Sequence, residues 1–209
     1  LLAGGGGAAG STTVSIVPCL HADDTFTTYD DTDGFRRLDL ATEYVDGLPA
    51  AGPFDNVVQT NSVVLAADTA VNALVFRSYS LEVSGDHTLR LNSGAFLTAQ
   101  NTRNQKITCS RLDFAGREAF ITVHNTGGYS TPLTISSVIT NAAGLTFAGT
   151  KGTDTLSSSL NLSGANVYTG RTAILVGTLQ VQGGDNRLPV DTWVSIGYGA
   201  RFSLNNVSQ

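Results

Sequence analysis

The acidic cluster Asp30-Asp31-Thr32-Asp33-Gly34 is the densest group of side chains in the sequence that could bind a metal ion. Loops of this kind bind calcium when carboxylates occupy fixed positions around a sharp turn. Aligned with a helix-flanked calcium loop, however, Tyr29 replaces the first ligand and Leu40 replaces the bidentate glutamate. The cluster therefore predicts a solvated turn, and no metal ion or other cofactor is expected.

The histidines and cysteines could serve as metal ligands or nucleophiles, but they are widely spaced. His21, His87 and His124 are too far apart in the sequence to predict a metal site by spacing. Cys19 lies close to His21, yet such a pair alone specifies neither zinc nor a nucleophile. Cys19 and Cys109 are expected to be small buried side chains or incidental thiols, and their disulfide status stays open.

Carboxylates grouped on neighbouring strands would be needed for an enzyme that cleaves polysaccharides. The acids after residue 57 are instead spread singly, mostly beside turn residues, and are expected to be solvated. They are Asp68, Glu82, Asp86, Asp113, Glu118, Asp154, Asp185 and Asp191. No serine lies in a G-x-S-x-G sequence. No catalytic residue is predicted, and the chain is not expected to be an enzyme.

Four aromatic residues, Tyr129, Tyr168, Trp193 and Tyr198, could line a groove that binds a carbohydrate. Roles in the core, or in covering the end of a stack of strands, are the favoured interpretation for them.

The composition limits the classes of protein to which the chain can belong. Hydrophobic residues make up 41% of the 209 residues and charged residues only 14%, with 23 glycines. The low charge argues against amphipathic helices, whose wet face normally carries Glu, Lys and Arg. A net charge of −5 argues against a nucleic-acid partner, and no apolar run is long enough to span a membrane as a helix. Methionine is absent, so the sequence as given is expected to be a fragment or a processed product.

A short unit recurs along the chain, an apolar–x–apolar triplet followed in most cases by glycine or asparagine. The triplets are Leu81/Val83, Leu89/Leu91, Leu133/Ile135, Leu145/Phe147, Leu160/Leu162, Leu179/Val181, Val194/Ile196 and Phe202/Leu204. Such brief alternation predicts short strands with one buried face, and glycine or asparagine supplies the tight turns between them. The pattern predicts an all-β fold, a β-solenoid of eight to ten turns with 20 to 25 residues each; the alternative is a β-sandwich.

The segment LNLSGANVYTGRTAILVGTLQV, residues 160–181, resembles the autotransporter-associated beta strand repeat. The matching residues are Leu160, Leu162, Gly164, Asn166, Tyr168, Gly170, Gly177, Thr178 and Leu179. Gly170-Arg171 stands where the family usually has Gly-Gly or Gly-Thr. Repeats of this family occur in long exported proteins of planctomycete and verrucomicrobial bacteria. The resemblance implies a right-handed parallel β-helix of the passenger type, with a role in export and folding and no active site.

These observations predict two regions, an irregular one at residues 1–56 and a regular solenoid at residues 57–209. The expected function is that of a non-catalytic structural or adhesive segment of an exported bacterial surface protein, located outside the cell or at its surface. A filament subunit that assembles end to end is one alternative, and a β-helix that binds or cleaves glycans is another. Expected partners are further copies, contacted through the terminal turns, or a surface glycan.

Overall fold

A computed structural model of the chain describes residues 2–99, 103–124, 132–150 and 158–209. Within these residues the regular structure is twenty strands and one 3₁₀ turn, Leu48–Ala50. The strands are β1 (His21–Ala22), β2 (Thr25–Asp30), β3 (Gly34–Arg37), β4 (Val45–Asp46), β5 (Asn56–Gln59), β6 (Val63–Val64), β7 (Thr69–Phe76), β8 (Glu82–Ser84), β9 (Thr88–Thr98), β10 (Gln105–Ile107), β11 (Arg111–Asp113), β12 (Glu118–Val123), β13 (Pro132–Ile135), β14 (Val138–Thr140), β15 (Gly144–Gly149), β16 (Ser159–Leu162), β17 (Thr172–Val176), β18 (Thr178–Val181), β19 (Val194–Ile196) and β20 (Arg201–Leu204). The predicted all-β class is confirmed.

Parallel strands stack along one axis to form a β-solenoid. The first sheet has the order β20-β18-β16-β13-β10-β8-β6, and the second has the order β19-β17-β15-β12-β9-β7-β5-β4. A short third ladder joins β11 to β14 and to the first half of β9. Every pair in these ladders is parallel, so the β-sandwich alternative is wrong. Crossovers between parallel strands are right-handed in about 98% of proteins, and a right-handed coil stays the prediction.

Identical positions on successive turns lie above one another and form apolar columns inside the coil. The column of the first sheet is Val63, Val83, Ile107, Ile135, Leu162, Val181 and Leu204. The column of the second sheet is Val45, Val57, Leu74, Phe96, Ile121, Phe147, Ile174 and Ile196. All members except those at the two ends are buried. The core is therefore one continuous stack, and each turn is stabilised mainly by its neighbours.

The predicted number of turns is wrong. Five turns contribute a strand of three or more residues to both main sheets, from β8–β9 to β18–β19, against the eight to ten expected. Two features account for the difference. The steps between stacked residues are uneven, 19 residues from Leu162 to Val181 but 28 from Ile107 to Ile135. In addition, none of the described residues before Val45 forms a strand of the solenoid.

The N-terminal strands β1, β2 and β3 form an antiparallel sheet, which we call the N-terminal sheet. It packs on the outer face of the second sheet, where Phe26 and Leu38 belong to one buried cluster with Val58, Val75 and Leu97. The parallel ladder begins with β4 and β5. The proposed division of the chain at residue 57 stays a prediction.

Candidate functional site

The acidic cluster of the N-terminal sheet closes a turn. Asp30 Oδ1 accepts hydrogen bonds from the amides of Thr32 (3.0 Å) and Asp33 (2.7 Å), and Asp30 Oδ2 is 3.3 Å from Arg36 Nε. The amide of Asp33, together with Thr32 and Arg36, lowers the pKa of Asp30 although its partial desolvation acts in the opposite direction. In the described part of the chain, no group of three or more His, Cys, Asp or Glu side chains could hold a metal ion.

Glu43 is the buried acid of this region, and the sequence reasoning did not single it out. Its carboxylate accepts a bidentate contact from Arg36 (2.8 and 2.9 Å) and the amide hydrogens of Gly10 and Asp39, both at 2.8 Å. Burial opposes ionisation, but these donors outweigh it and lower the pKa of Glu43 to about 2. The arrangement ties the N-terminal segment to β3 and to the loop after it.

Most of the single acids of the solenoid join one turn to the next. Their acceptor oxygens take hydrogen bonds from residues about one turn further along the chain. These bonds are Thr88 amide to Asp68 (2.8 Å), Thr108 hydroxyl to Glu82 (2.7 Å), Thr146 hydroxyl to Glu118 (2.7 Å) and Ser208 amide to Asp185 (2.7 Å). Asp113 accepts a hydrogen bond from the Asn141 side chain on the next turn (3.3 Å) and also the amide hydrogen of Ala115 within its own turn. Asp154 lies outside the described residues. These contacts are structural in character.

The structure brings together two of the three histidines that sequence spacing had separated. The ring centroids of His21 and His124 are 5.6 Å apart, and His124 Nδ1 is 3.3 Å from Asp24 Oδ1. Spacing in the sequence did not predict this contact, because distance along a coiled chain does not measure distance in space. His87 lies elsewhere, 3.5 Å from Asp68.

Both cysteines are free thiols. Cys109 is buried, as expected, and burial raises the pKa of its thiol. Cys19 is exposed, so of the two expected alternatives it is an incidental thiol and not a buried side chain.

The residues that carry the family resemblance have identifiable structural roles. Leu160 and Leu162 are buried inside the coil, and a Cβ atom at Gly164 would overlap the carbonyl oxygen of Ser137. Asn166 is buried and its side-chain oxygen accepts the amide hydrogen of Ile139 at 2.9 Å. Tyr168 is buried as well, with its hydroxyl hydrogen-bonded to Thr172, and burial raises the pKa of Tyr168 to about 12. The segment is thus a packing and turn-forming unit.

The last turn, residues 188–204, forms the C-terminal end of the solenoid and exposes several large apolar side chains. Ile196 and Leu204, the final members of the two apolar columns, are 52% and 50% exposed. Val190 and Trp193 of the same turn are exposed as well, at 84% and 76%. Among the described strands, β19 pairs only with β17 and β20 only with β18, so each has a free parallel edge. Of the aromatic candidates, Trp193 and Tyr198 are thus exposed here, Tyr168 is in the core, and Tyr129 lies outside the described residues.

The N-terminal end of the solenoid is covered differently. The 3₁₀ turn Leu48–Ala50 follows β4, and Leu48 is buried against the end of the core. A shallow hollow of about 500 Å³ remains between this turn and the short strand β6, lined by Pro49, Pro53 and Val63 among others. Proline and very short strands at an edge discourage pairing with another strand. The two ends of the coil are therefore chemically different.

Comparisons with family models, curated proteins and solved structures find no match to this chain. In the described residues no helix is long and apolar enough to cross a membrane.

Proposed function

We propose that this chain is a non-catalytic structural segment of an exported bacterial surface protein, and that its last turn stacks on a further turn of parallel β-strands. The observation that carries the proposal is the pair of apolar columns, which run the length of the coil and end in half-exposed Ile196 and Leu204. A partner strand above β19 or β20 would continue both the hydrogen-bond ladder and the column.

The outer face of the first sheet supports a structural role. Its outward column is Glu82, Lys106, Thr134, Asn161, Gln180 and Ser203, which is mostly neutral and polar. Such a surface stays hydrated while adding little electrostatic repulsion between turns. An adhesive role would use this same lateral face, because the inside of the coil is filled with side chains.

Export is supported by the resemblance of residues 160–181 to the autotransporter-associated repeat. The roles of Gly164, Asn166 and Tyr168 in turn formation give that resemblance a physical basis. The direct test is to label intact and permeabilised cells of the source organism with an antibody against the segment. Labelling of intact cells is expected, and labelling only after permeabilisation would overturn the proposal of surface exposure.

The filament alternative draws on the same open C-terminal end, but end-to-end assembly also needs an open N-terminal end. The 3₁₀ turn and the prolines at that end favour a segment that stacks in one direction only. Negative-stain microscopy of the purified chain separates the two proposals. Single particles are expected. Long fibres that form with Val167→Lys but not with Leu204→Lys would instead establish the filament. Val167 is the control because it is also exposed but lies in the segment that connects β16 to β17.

One observation favours the glycan-binding alternative. Trp193 and Tyr198, which lie five positions apart in the sequence of the last turn, are both exposed. A glycan array with the wild-type chain and with Trp193→Ala tests it. No binding is expected, and binding that the substitution removes would support a glycan site.

A further inference from the structure

His21, Asp24 and His124 form a polar contact between the N-terminal sheet and the solenoid. His21 lies on β1 and Asp24 in the turn after it, whereas His124 directly follows β12 of the second sheet. The carboxylate of Asp24 is 3.3 Å from His124 Nδ1, and the two imidazole rings are tilted by 53° with centroids 5.6 Å apart. The side chain of His124 is only 10% exposed. The contact is thus partly withdrawn from water.

The two imidazole rings have different polar surroundings. Asp24 lies beside His124, while His21 Nδ1 is buried and has no hydrogen-bond partner in the described part of the chain. Asp23, which is 3.6 Å from Arg37, and Asp24 act to raise the pKa of His21, but burial and His124 outweigh them. The adjoining hollow, about 550 Å³ in volume, is lined by charged groups of both signs. They are Asp23, Asp24, Arg37, Asp39 and Arg77.

We infer that His21, Asp24 and His124 act as an acid-sensitive latch that holds the N-terminal sheet on the outer face of the solenoid. A proton on His124 faces the carboxylate of Asp24, so one positive charge is compensated. A second proton on His21 lies close to the first, in a partly buried position, and repels it. Release of the latch loosens the cover over Val58, Val75 and Leu97.

The direction of the pH effect follows from the state of His21. Burial, followed by the nearby His124, lowers the pKa of His21 below its ordinary value of 6.5. The docked sheet therefore favours neutral His21. The stabilisation is present above pH 6.5 and is lost as the pH falls through the lowered pKa.

Hydrogen exchange measured by mass spectrometry at pH 7.5 and pH 5.0 tests the inference. Protection factors, corrected for intrinsic exchange, are compared for peptides covering residues 20–30 and for reference peptides covering residues 159–181. We expect protection of residues 20–30 to fall about tenfold relative to the reference at pH 5.0. Equal protection at both pH values would overturn the latch.

Two variants identify the groups responsible. His21→Gln should make the relative protection of residues 20–30 independent of pH, whereas His87→Gln, at a partly exposed histidine near Asp68, should leave the wild-type dependence intact. Retention of the dependence in His21→Gln, or its loss in His87→Gln, would contradict the assignment.

An NMR titration of the imidazole signals gives a readout that does not depend on how His21→Gln folds. The wild-type chain should show a His21 pKa below 6.5, and His124→Gln should raise that pKa because the neighbouring positive charge is removed. A His21 pKa at or above 6.5 in the wild-type chain, or one unchanged by His124→Gln, would overturn the proposed repulsion.

Discussion

Asn166 replaces a backbone carbonyl in the ladder of the solenoid, since its Oδ1 accepts the amide hydrogen of Ile139 on the preceding turn at 2.9 Å. Its Nδ2 donates to the carbonyl of Arg187 on the following turn at 2.7 Å. One buried side chain therefore joins three turns at a position where no strand continues the ladder. This explains why an asparagine occupies the centre of the family-like segment.

Asn166→Ala removes both hydrogen bonds and leaves an amide and a carbonyl without these partners. We expect the free energy of unfolding to fall by about 2–3 kcal/mol, since a buried unsatisfied polar group costs about 1–3 kcal/mol. Urea denaturation measures the change, and hydrogen exchange of the Ile139 amide should accelerate. Asn205→Ala, at an exposed position directly after the last turn, is the control and should change stability by less than about 0.5 kcal/mol. Equal effects of both substitutions would contradict the role given to Asn166.

The column of the first sheet provides its own internal control. Leu162 is fully buried in the middle of the column, whereas Leu204 at the end is 50% exposed. Leu162→Ala should lower the free energy of unfolding by about 3 kcal/mol, because it leaves a cavity between Ile135 and Val181. Leu204→Ala should cost less than about 1 kcal/mol. Thermal or urea denaturation decides the matter, and similar losses for both variants would mean that Leu204 is covered in solution.

The ion pair between Arg36 and Glu43 should make the free energy of unfolding depend on pH in the acid range. The folded state lowers the pKa of Glu43 from 4.5 to about 2, so its contribution is present above pH 4.5 and is lost as the pH falls towards 2. Glu43→Gln should destabilise the chain by about 3 kcal/mol at pH 7, because Arg36 loses its buried partner.

The effect of the same substitution should shrink as the pH falls towards 2, where a growing fraction of Glu43 is itself protonated. Asp31→Asn, at an exposed acid in the adjacent turn, is the matched control and should leave the stability nearly unchanged at both pH values. A constant loss in Glu43→Gln from pH 7 to pH 2 would show that charge is not what Glu43 contributes.

The solenoid was predictable because its signal is local. In Leu160/Leu162 and in Leu179/Val181, one polar residue separates the two apolar residues. Both pairs are buried inside the coil, and they lie above one another on successive turns. Gly164 was among the residues that match the family repeat. The structure gives the reason for glycine there, since a Cβ atom would overlap the carbonyl oxygen of Ser137. Periodicity thus fixed the strand type and the buried face, although uneven loops made the number of turns wrong.

The N-terminal sheet was not predicted, because residues 1–56 were expected to be irregular. Asp33-Gly34 closes the turn between β2 and β3, and Gly34 has φ +70°, but the acidic cluster was predicted only as an isolated solvated turn. The contact of His21 with His124 could not be predicted from spacing, since it depends on how a separate sheet packs on the coil. The burial of Glu43 was not predictable either, because it depends on how Gly10, Arg36 and Asp39 come together in the N-terminal region.

The central claim, that successive turns stack as parallel rungs in one register, is tested most directly by disulfide formation between engineered cysteines. Thr134 pairs with Asn161, and Asn161 pairs with Gln180, on the outer face of the first sheet. Neighbouring strands are about 4.8 Å apart, so adjacent rungs are within disulfide reach and rungs two steps apart, at about 10 Å, are not.

In a Cys19→Ser background, which removes the exposed native thiol, mild oxidation should cross-link Thr134→Cys with Asn161→Cys within one molecule. It should leave Thr134→Cys with Gln180→Cys as free thiols. Mass spectrometry of the oxidised, non-reduced protein distinguishes the two states. Failure of the first pair to cross-link, or efficient linkage of the second, would contradict the stacking described above.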